Sequence, residues 1–199
     1  DGRVVASAEH VWVAIDPADP SHIMLATRSG THGIGSNVGG SSTIPGLPAT
    51  GLYTSTDGGA TFALSRAGSF NEVKFDPRNS NVVYAAQASS TTPANGGLVR
   101  STVDGATGTW ESIFGGNRGR YSFAPVIKNG KTRIYLSDAS GSGAPTGAQV
   151  YRVDDASQSA AALTASNNAA WTRLSNPTDG TSGFAVYNYC NTPLVGSQC

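Results

Sequence analysis

The chain has 199 residues, and its 13 Lys and Arg residues balance 13 Asp and Glu residues, so the formal net charge is zero. Charged residues make up 13% of the sequence, about half of the roughly 25% usual in soluble proteins, and 25 glycines and 10 prolines interrupt it. This composition argues against long helices and against nucleic-acid binding, which needs clustered Lys and Arg. With no apolar run near 18 residues, it also argues against a membrane span.

Short apolar runs recur in one order and predict repeats of four short strands. The first repeat is expected at 11–15, 22–26, 51–55 and 60–64, the second at 72–75, 81–85, 97–101 and 109–113, and the third at 123–127, 133–137, 149–153 and 171–174. A fourth begins at 184–187. Asp16-Pro17 and Asp76-Pro77 follow the first strand of two repeats, where proline ends a strand because it has no N–H to donate.

The connection between the third and fourth strands carries a serine, aspartate, glycine, threonine and aromatic residue at fixed spacing. The first repeat has Ser55, Asp57, Gly59, Thr61 and Phe62, and the second has a looser version with Ser101, Asp104, Thr109 and Trp110. The pattern resembles the Asp-box of sialidases, xyloglucanase-type glycoside hydrolases and sortilin-like receptors. The resemblance implies that these residues form structural turns away from the ligand face.

The resemblance also implies an all-β fold, a β-propeller of four-stranded antiparallel blades. One propeller domain is expected, with blades at residues 8–66, 70–114 and 121–175 and the start of another at 184–199. About three blades do not close a ring, because propellers typically have about 4 to 8. The sequence therefore predicts a segment of a larger polypeptide, with the remaining blades on the same or another chain. A two-sheet β-sandwich is the alternative fold.

In this topology the long loops fall on one face, opposite the Asp-box turns. Polar residues expected there are Arg28 and His32 after a second strand, and Arg118, Arg120 and Tyr121 before the third repeat. Arginine binds carboxylates in a fork geometry, and tyrosine stacks on sugars, so these residues are the candidate ligand site. No metal site and no cofactor is predicted.

Glycoside hydrolysis needs two carboxylates, and the loop face offers Asp138 and Asp179 as candidate catalytic residues. In xyloglucanase-like enzymes a catalytic aspartate follows a strand end similar to Ala26-Thr27-Arg28, where this chain has Ser29. The Arg-Ile-Pro motif of sialidases does not occur in the sequence. The prediction is therefore a binding or structural module of a larger extracellular protein or assembly, with carbohydrate or protein as ligand. A propeller-type glycoside hydrolase with catalytic residues partly outside this segment is the alternative.

The two cysteines, Cys190 and Cys199, lie close together in the sequence. They are expected either to form a disulfide across this short loop or to be two free thiols. A disulfide, together with the low charge, favours an extracytoplasmic location, whether secreted, periplasmic or at the cell surface.

Overall fold

Twelve β-strands and one short helix account for most of the described chain. The computed structural model describes residues 10–28, 49–88, 96–116, 120–139 and 149–174. The strands are β1 His10–Ile15, β2 Ile23–Arg28, β3 Gly51–Ser55, β4 Ala63–Ala67, β5 Phe70–Phe75, β6 Val83–Gln87, β7 Gly96–Ser101, β8 Glu111–Gly116, β9 Arg120–Lys128, β10 Lys131–Ala139, β11 Gln149–Val153 and β12 Thr172–Arg173. The helix α1 spans Ala160–Asn168.

The strands form three antiparallel sheets of four strands each, and each sheet follows chain order. Sheet 1 contains β1 to β4, sheet 2 contains β5 to β8, and sheet 3 contains β9 to β12. The prediction of an all-β chain built from four-stranded antiparallel units is confirmed. No closed barrel is found among the described residues.

The three sheets have the same register across their first three strands, which defines equivalent positions. In each sheet one residue from each of these strands pairs with the next across the sheet, and these three residues form a row. The equivalent rows are Ile15, Ile23 and Ser55 in sheet 1, Phe75, Val83 and Ser101 in sheet 2, and Pro125, Ile134 and Val153 in sheet 3.

The turn after the third strand is also held alike in all three sheets. An N–H of this turn donates to a carbonyl that lies two residues before the row of Ile23, Val83 and Ile134. The bonds run from Gly58 to Ser21, from Asp104 to Asn81, and from Ala156 to Thr132, at 2.8–2.9 Å. The repeat read from the sequence is therefore a repeat of hydrogen bonds as well as of strands.

The sheets pack face to face in chain order, and the first strands of neighbouring sheets lie beside one another. We call the side of a sheet that meets the preceding sheet its leading face and the opposite side its trailing face. Met24, Ala26 and Leu52 on the trailing face of sheet 1 pack against Val73 and Val83 on the leading face of sheet 2. A second core joins sheets 2 and 3; it includes Tyr84, Ala86, Leu98, Ile113, Phe123, Ile134 and Leu136.

Helix α1 lies in the connection between β11 and β12, a segment for which the sequence predicts no helix. Ser159 caps its first turn by accepting a hydrogen bond from the N–H of Ala162 at 3.2 Å. Leu163 packs into the core, and the side-chain amide of Asn168 both donates to and accepts from the backbone of Gly115 on β8. The helix therefore joins sheet 3 to sheet 2.

Several predictions from the sequence fall outside the described residues. These are the fourth repeat at 184–199, the cysteine pair Cys190 and Cys199, and the site candidates His32, Arg118 and Asp179. The disulfide therefore stays a prediction. Within the described ranges, no helix has the length and apolar character needed to cross a membrane.

Candidate functional site

A cavity of about 400 Å³ lies where the first strands of the three sheets meet the end of β2. It is lined by Trp12, Arg28, Asn71, Glu72, Arg120, Tyr121 and Ser122, and we call it the inner pocket. Three of the candidates from the sequence, Arg28, Arg120 and Tyr121, are brought together here. Arg28 comes from sheet 1 and the other two from sheet 3, so only the packing of the sheets creates the site.

Arg28 and Asn71 form one wall of the inner pocket. Nη1 of Arg28 donates to Oδ1 of Asn71 at 2.9 Å, which fixes the orientation of the side-chain amide. The other end of that amide, Nδ2, is buried and has no hydrogen-bond partner. A buried donor without an acceptor costs about 1–3 kcal/mol.

The carboxylate in the inner pocket, that of Glu72, is already engaged. It accepts hydrogen bonds from the Ser122 hydroxyl and from the N–H of Phe123, the latter at 3.2 Å, and it pairs with the Lys74 ammonium at 2.9 Å. The Lys74 ammonium also lies 5.2 Å from the centre of the Trp12 ring and 4.8 Å from that of Phe123. These contacts fix β5 against β9 and β1 and leave the pocket with an excess of positive charge.

Asp138 does not line the inner pocket. It is 4% exposed, and its Oδ1 accepts the N–H of Gln149 at 2.8 Å. Thr27, at the equivalent position of sheet 1, accepts the N–H of Gly51 through its hydroxyl, also at 2.8 Å. Both side chains therefore hold the start of the third strand. Asp138 faces a wider groove of about 1010 Å³ beside α1, which shares Tyr121 with the inner pocket.

The turn that contains Ser55, Asp57 and Thr61, the first turn that resembles an Asp-box, lies at the end of sheet 1 opposite the inner pocket. Ser55 donates to Oδ1 of Asp57 at 2.7 Å, and the backbone and hydroxyl of Thr61 donate to the two carboxylate oxygens at 2.9 and 2.6 Å. These bonds, those of Thr61 first, lower the pKa of Asp57 to about 2. Gly59 donates its N–H to the Ser55 hydroxyl at 2.9 Å. The carboxylate is thus occupied in holding the turn.

The second turn keeps the hydroxyls of the box but not its aspartate. Ser101 accepts from the N–H groups of Val103 and Gly105 at 3.1 and 3.2 Å, as Ser55 does in sheet 1, and it meets the Thr109 hydroxyl directly at 2.6 Å. Val103 therefore stands at the position of Asp57. Asp104, with φ of 49°, stands at the left-handed position of Gly58.

Two tryptophans that precede a fourth strand bind sheets 2 and 3 to the sheet before each of them. Nε1 of Trp110 donates to the Ser65 hydroxyl at 2.7 Å, and Nε1 of Trp171, at the equivalent position of sheet 3, donates to the carbonyl of Ile113 at 2.9 Å. Ser65 and Ile113 are themselves equivalent residues of β4 and β8.

The sequence reasoning missed four residues of the inner pocket: Trp12, Asn71, Glu72 and Ser122. Trp12, Glu72 and Ser122 occupy equivalent positions of the three first strands. The available signal was the pair Asn71-Glu72, two polar residues in a first strand that is otherwise mainly apolar.

Comparison with known proteins does not assign the chain to a class. No protein-family model matches it, and no curated protein matches it.

Proposed function

We propose that the chain is part of an Asp-box β-propeller and acts as a binding module of a larger extracellular protein or assembly. The propeller is supported by three equivalent sheets that pack in chain order with their first strands side by side. It is also supported by the box turns at one end of the sheets. An extracytoplasmic location rests on the low charge and on the two cysteines of the sequence.

The observation that carries the binding function is the inner pocket. Residues of three first strands and of the end of β2 converge on it, at the end of the sheets opposite the box turns. Its donors and its exposed aromatic ring suit a polar ligand, because binding sites combine an apolar surface with a few placed polar groups. Its carboxylate, Glu72, is held by three donors and serves the packing of the strands.

The leading face of sheet 1 supports assembly with further blades. Val13 and Ile15 on β1 are 54% and 56% exposed, and Leu64 on β4 is 40% exposed. At the equivalent positions of sheet 2, Val73 and Phe75 are 0% and 8% exposed because sheet 1 covers them. A further sheet with an apolar trailing face would bury these side chains in the same way.

Affinity electrophoresis through a panel of extracellular polysaccharides tests the proposed function. The expected result is retardation of the full chain by at least one polysaccharide. Trp12→Ala should abolish it, and Val103→Ala, an exposed site at the opposite end of sheet 2, should preserve it. Retardation that survives Trp12→Ala, or no retardation at all, would contradict carbohydrate binding in this pocket. Release of reducing ends that is lost in Asp138→Asn would favour the glycoside hydrolase alternative.

A further inference from the structure

We infer that the inner pocket binds the anionic group, carboxylate or sulfate, of an acidic saccharide. This inference rests on the proposed binding function and adds the chemical class of the ligand. It is carried by the charge balance of the pocket, by its hydrogen-bond donors and by an exposed aromatic ring.

The charge balance favours an anion. Arg28, Lys74 and Arg120 lie in or beside the inner pocket, and among the described residues that line it Glu72 is the one carboxylate. The Glu72 carboxylate is already paired with Lys74 at 2.9 Å and accepts hydrogen bonds from β9. Its charge is thus compensated within the protein, and the two guanidinium groups remain as an excess of positive charge.

The donors in the pocket suit an oxyanion. The bond from Arg28 to Oδ1 of Asn71 uses one of the five N–H donors of the guanidinium and turns the buried Nδ2 of Asn71 the other way. Guanidinium groups bind carboxylate and sulfate oxygens through paired, charge-assisted hydrogen bonds.

The aromatic ring of Trp12 favours a saccharide as the carrier of that anion. Trp12 is 40% exposed on the wall of the inner pocket. The residues at the equivalent position of sheets 2 and 3 are polar, Glu72 and Ser122. An indole offers its face to the C–H groups of a sugar ring. A cavity of about 400 Å³ accommodates one or two such rings.

Isothermal titration calorimetry on the full chain, at low ionic strength, tests the ligand class with three hexasaccharide probes. Hexagalacturonate carries carboxylates, a κ-carrageenan hexasaccharide carries sulfates, and cellohexaose is uncharged. At least one acidic probe is expected to bind about tenfold or more tightly than cellohexaose, the difference that one charge-assisted hydrogen bond supplies. Which acidic probe binds identifies the source of the oxyanion.

Three variants test whether the acidic probe occupies this pocket. Arg28→Gln and Arg120→Gln should each weaken its binding about tenfold, whereas Arg78→Gln, the same charge change at the other end of sheet 2, should not. Asn71→Asp keeps an acceptor for Arg28 but replaces the Nδ2 donor with an anionic oxygen. It should weaken the acidic probe by a similar factor and leave cellohexaose unaffected. Arg120 is exposed, so its variant separates binding from folding.

Two results would overturn the inference and still leave the proposed function standing. One is that cellohexaose binds as tightly as the acidic probes and that its binding is lost in Trp12→Ala. The other is failure of both acidic probes to bind while the polysaccharide panel still detects binding that depends on Trp12. Binding of an acidic probe that Arg28→Gln, Arg120→Gln and Asn71→Asp leave unchanged would place the anion elsewhere and overturn the site.

Discussion

At the residue scale, the third strand of each of the first two sheets has a glycine, at its first or second position, in close contact with the fourth strand. A Cβ on Gly51 or Gly97 would overlap a backbone carbonyl oxygen, that of Arg66 or of Phe114. Both contacts lie beside a β-bulge, where the register between the two strands shifts. Gly97 also has a φ of 133°, which side-chain-bearing residues rarely adopt.

Gly97→Ala is therefore expected to lower the free energy of unfolding by about 3 kcal/mol, the sum of backbone strain and a steric overlap that cannot relax cheaply. Gly108→Ala is the matched control. Gly108 has a φ of 79° but no atom within 4 Å of the added Cβ, so it should lose about 1 kcal/mol from strain alone. Urea denaturation measures both values, and equal losses would show that the overlap is relieved by the fourth strand.

Asp155 gives a prediction about pH. It lies two residues after β11, as Asp57 lies two residues after β3. Lys131 at 2.7 Å, followed by Ser157, lowers its pKa from 3.8 to about 2. Because the pKa is lower in the folded protein, its stabilisation is complete above about pH 4 and is lost as the pH falls towards 2.

Lys131→Gln is expected to raise the Asp155 pKa towards 3.8, because it removes the largest cause of the shift. The variant should then lose less stability than the parent between pH 4 and pH 2. NMR titration of the Asp155 carboxyl measures the first effect and acid denaturation the second. Lys128→Gln, on the same hairpin, is the control, and a pKa that responds equally to both changes would contradict a specific pair.

The box shows what sequence alone predicts at this scale. Ser55, Asp57 and Thr61 are at matching positions in the motif and bond to one another in the structure. The sequence pattern aligns Asp104 with Asp57, whereas the hydrogen bonds of the turn align it with Gly58, one position later. Asp104 fits there because an aspartate tolerates the left-handed backbone that Gly58 adopts in sheet 1. Asp155 fills the aspartate position of sheet 3 in a turn whose sequence does not otherwise resemble the box.

At the element scale, neighbouring sheets are joined by the indole N–H of a tryptophan. Trp110→Phe and Trp171→Phe keep most of the packing but remove the hydrogen bonds to Ser65 and Ile113. Each should cost about 1–2 kcal/mol, and Trp171 should cost more because its partner carbonyl is buried with it. Trp12→Phe, at an exposed ring, is the control for thermal unfolding. Losses no larger than that of Trp12→Phe would contradict a joining role.

The strands could be predicted because short apolar runs, bounded by Gly, Asp or Pro, recur in the same order along the sequence. Helix α1 was not predicted, although its alanines favour a helix, because nine residues without apolar periodicity resemble a loop insertion. The inner pocket was predicted only in part. Arg28, Arg120 and Tyr121 follow from strand ends, whereas Trp12 and Asn71 join them only through the packing of sheet on sheet.

At the scale of the whole molecule, the two outer faces of the stack differ. The leading face of sheet 1 exposes aliphatic side chains on β1 and β4. The trailing face of sheet 3 instead carries Arg133 and Arg152, both paired with Asp154 at 2.7 and 3.0 Å. The trailing faces of sheets 1 and 2 are apolar where they pack. If two copies stacked head to tail, the charged trailing face of sheet 3 in one copy would contact the aliphatic leading face of sheet 1 in the other. This contact is unfavourable, so a sheet with an apolar trailing face is a better neighbour for sheet 1 than sheet 3 of a second copy.

Val13 and Val73 allow a matched test of that face, since they are the same residue type at equivalent positions with 54% and 0% exposure. Val13→Lys should change the free energy of unfolding by no more than about 0.5 kcal/mol, as at most surface sites. Val73→Lys should cost about 3–5 kcal/mol, because it buries an unpaired charge between sheets 1 and 2. Urea denaturation measures both, and sedimentation velocity reports association. If Val13→Lys proves as destabilising as Val73→Lys, the leading face of sheet 1 is already covered in the isolated chain, and no further sheet is needed to bury it.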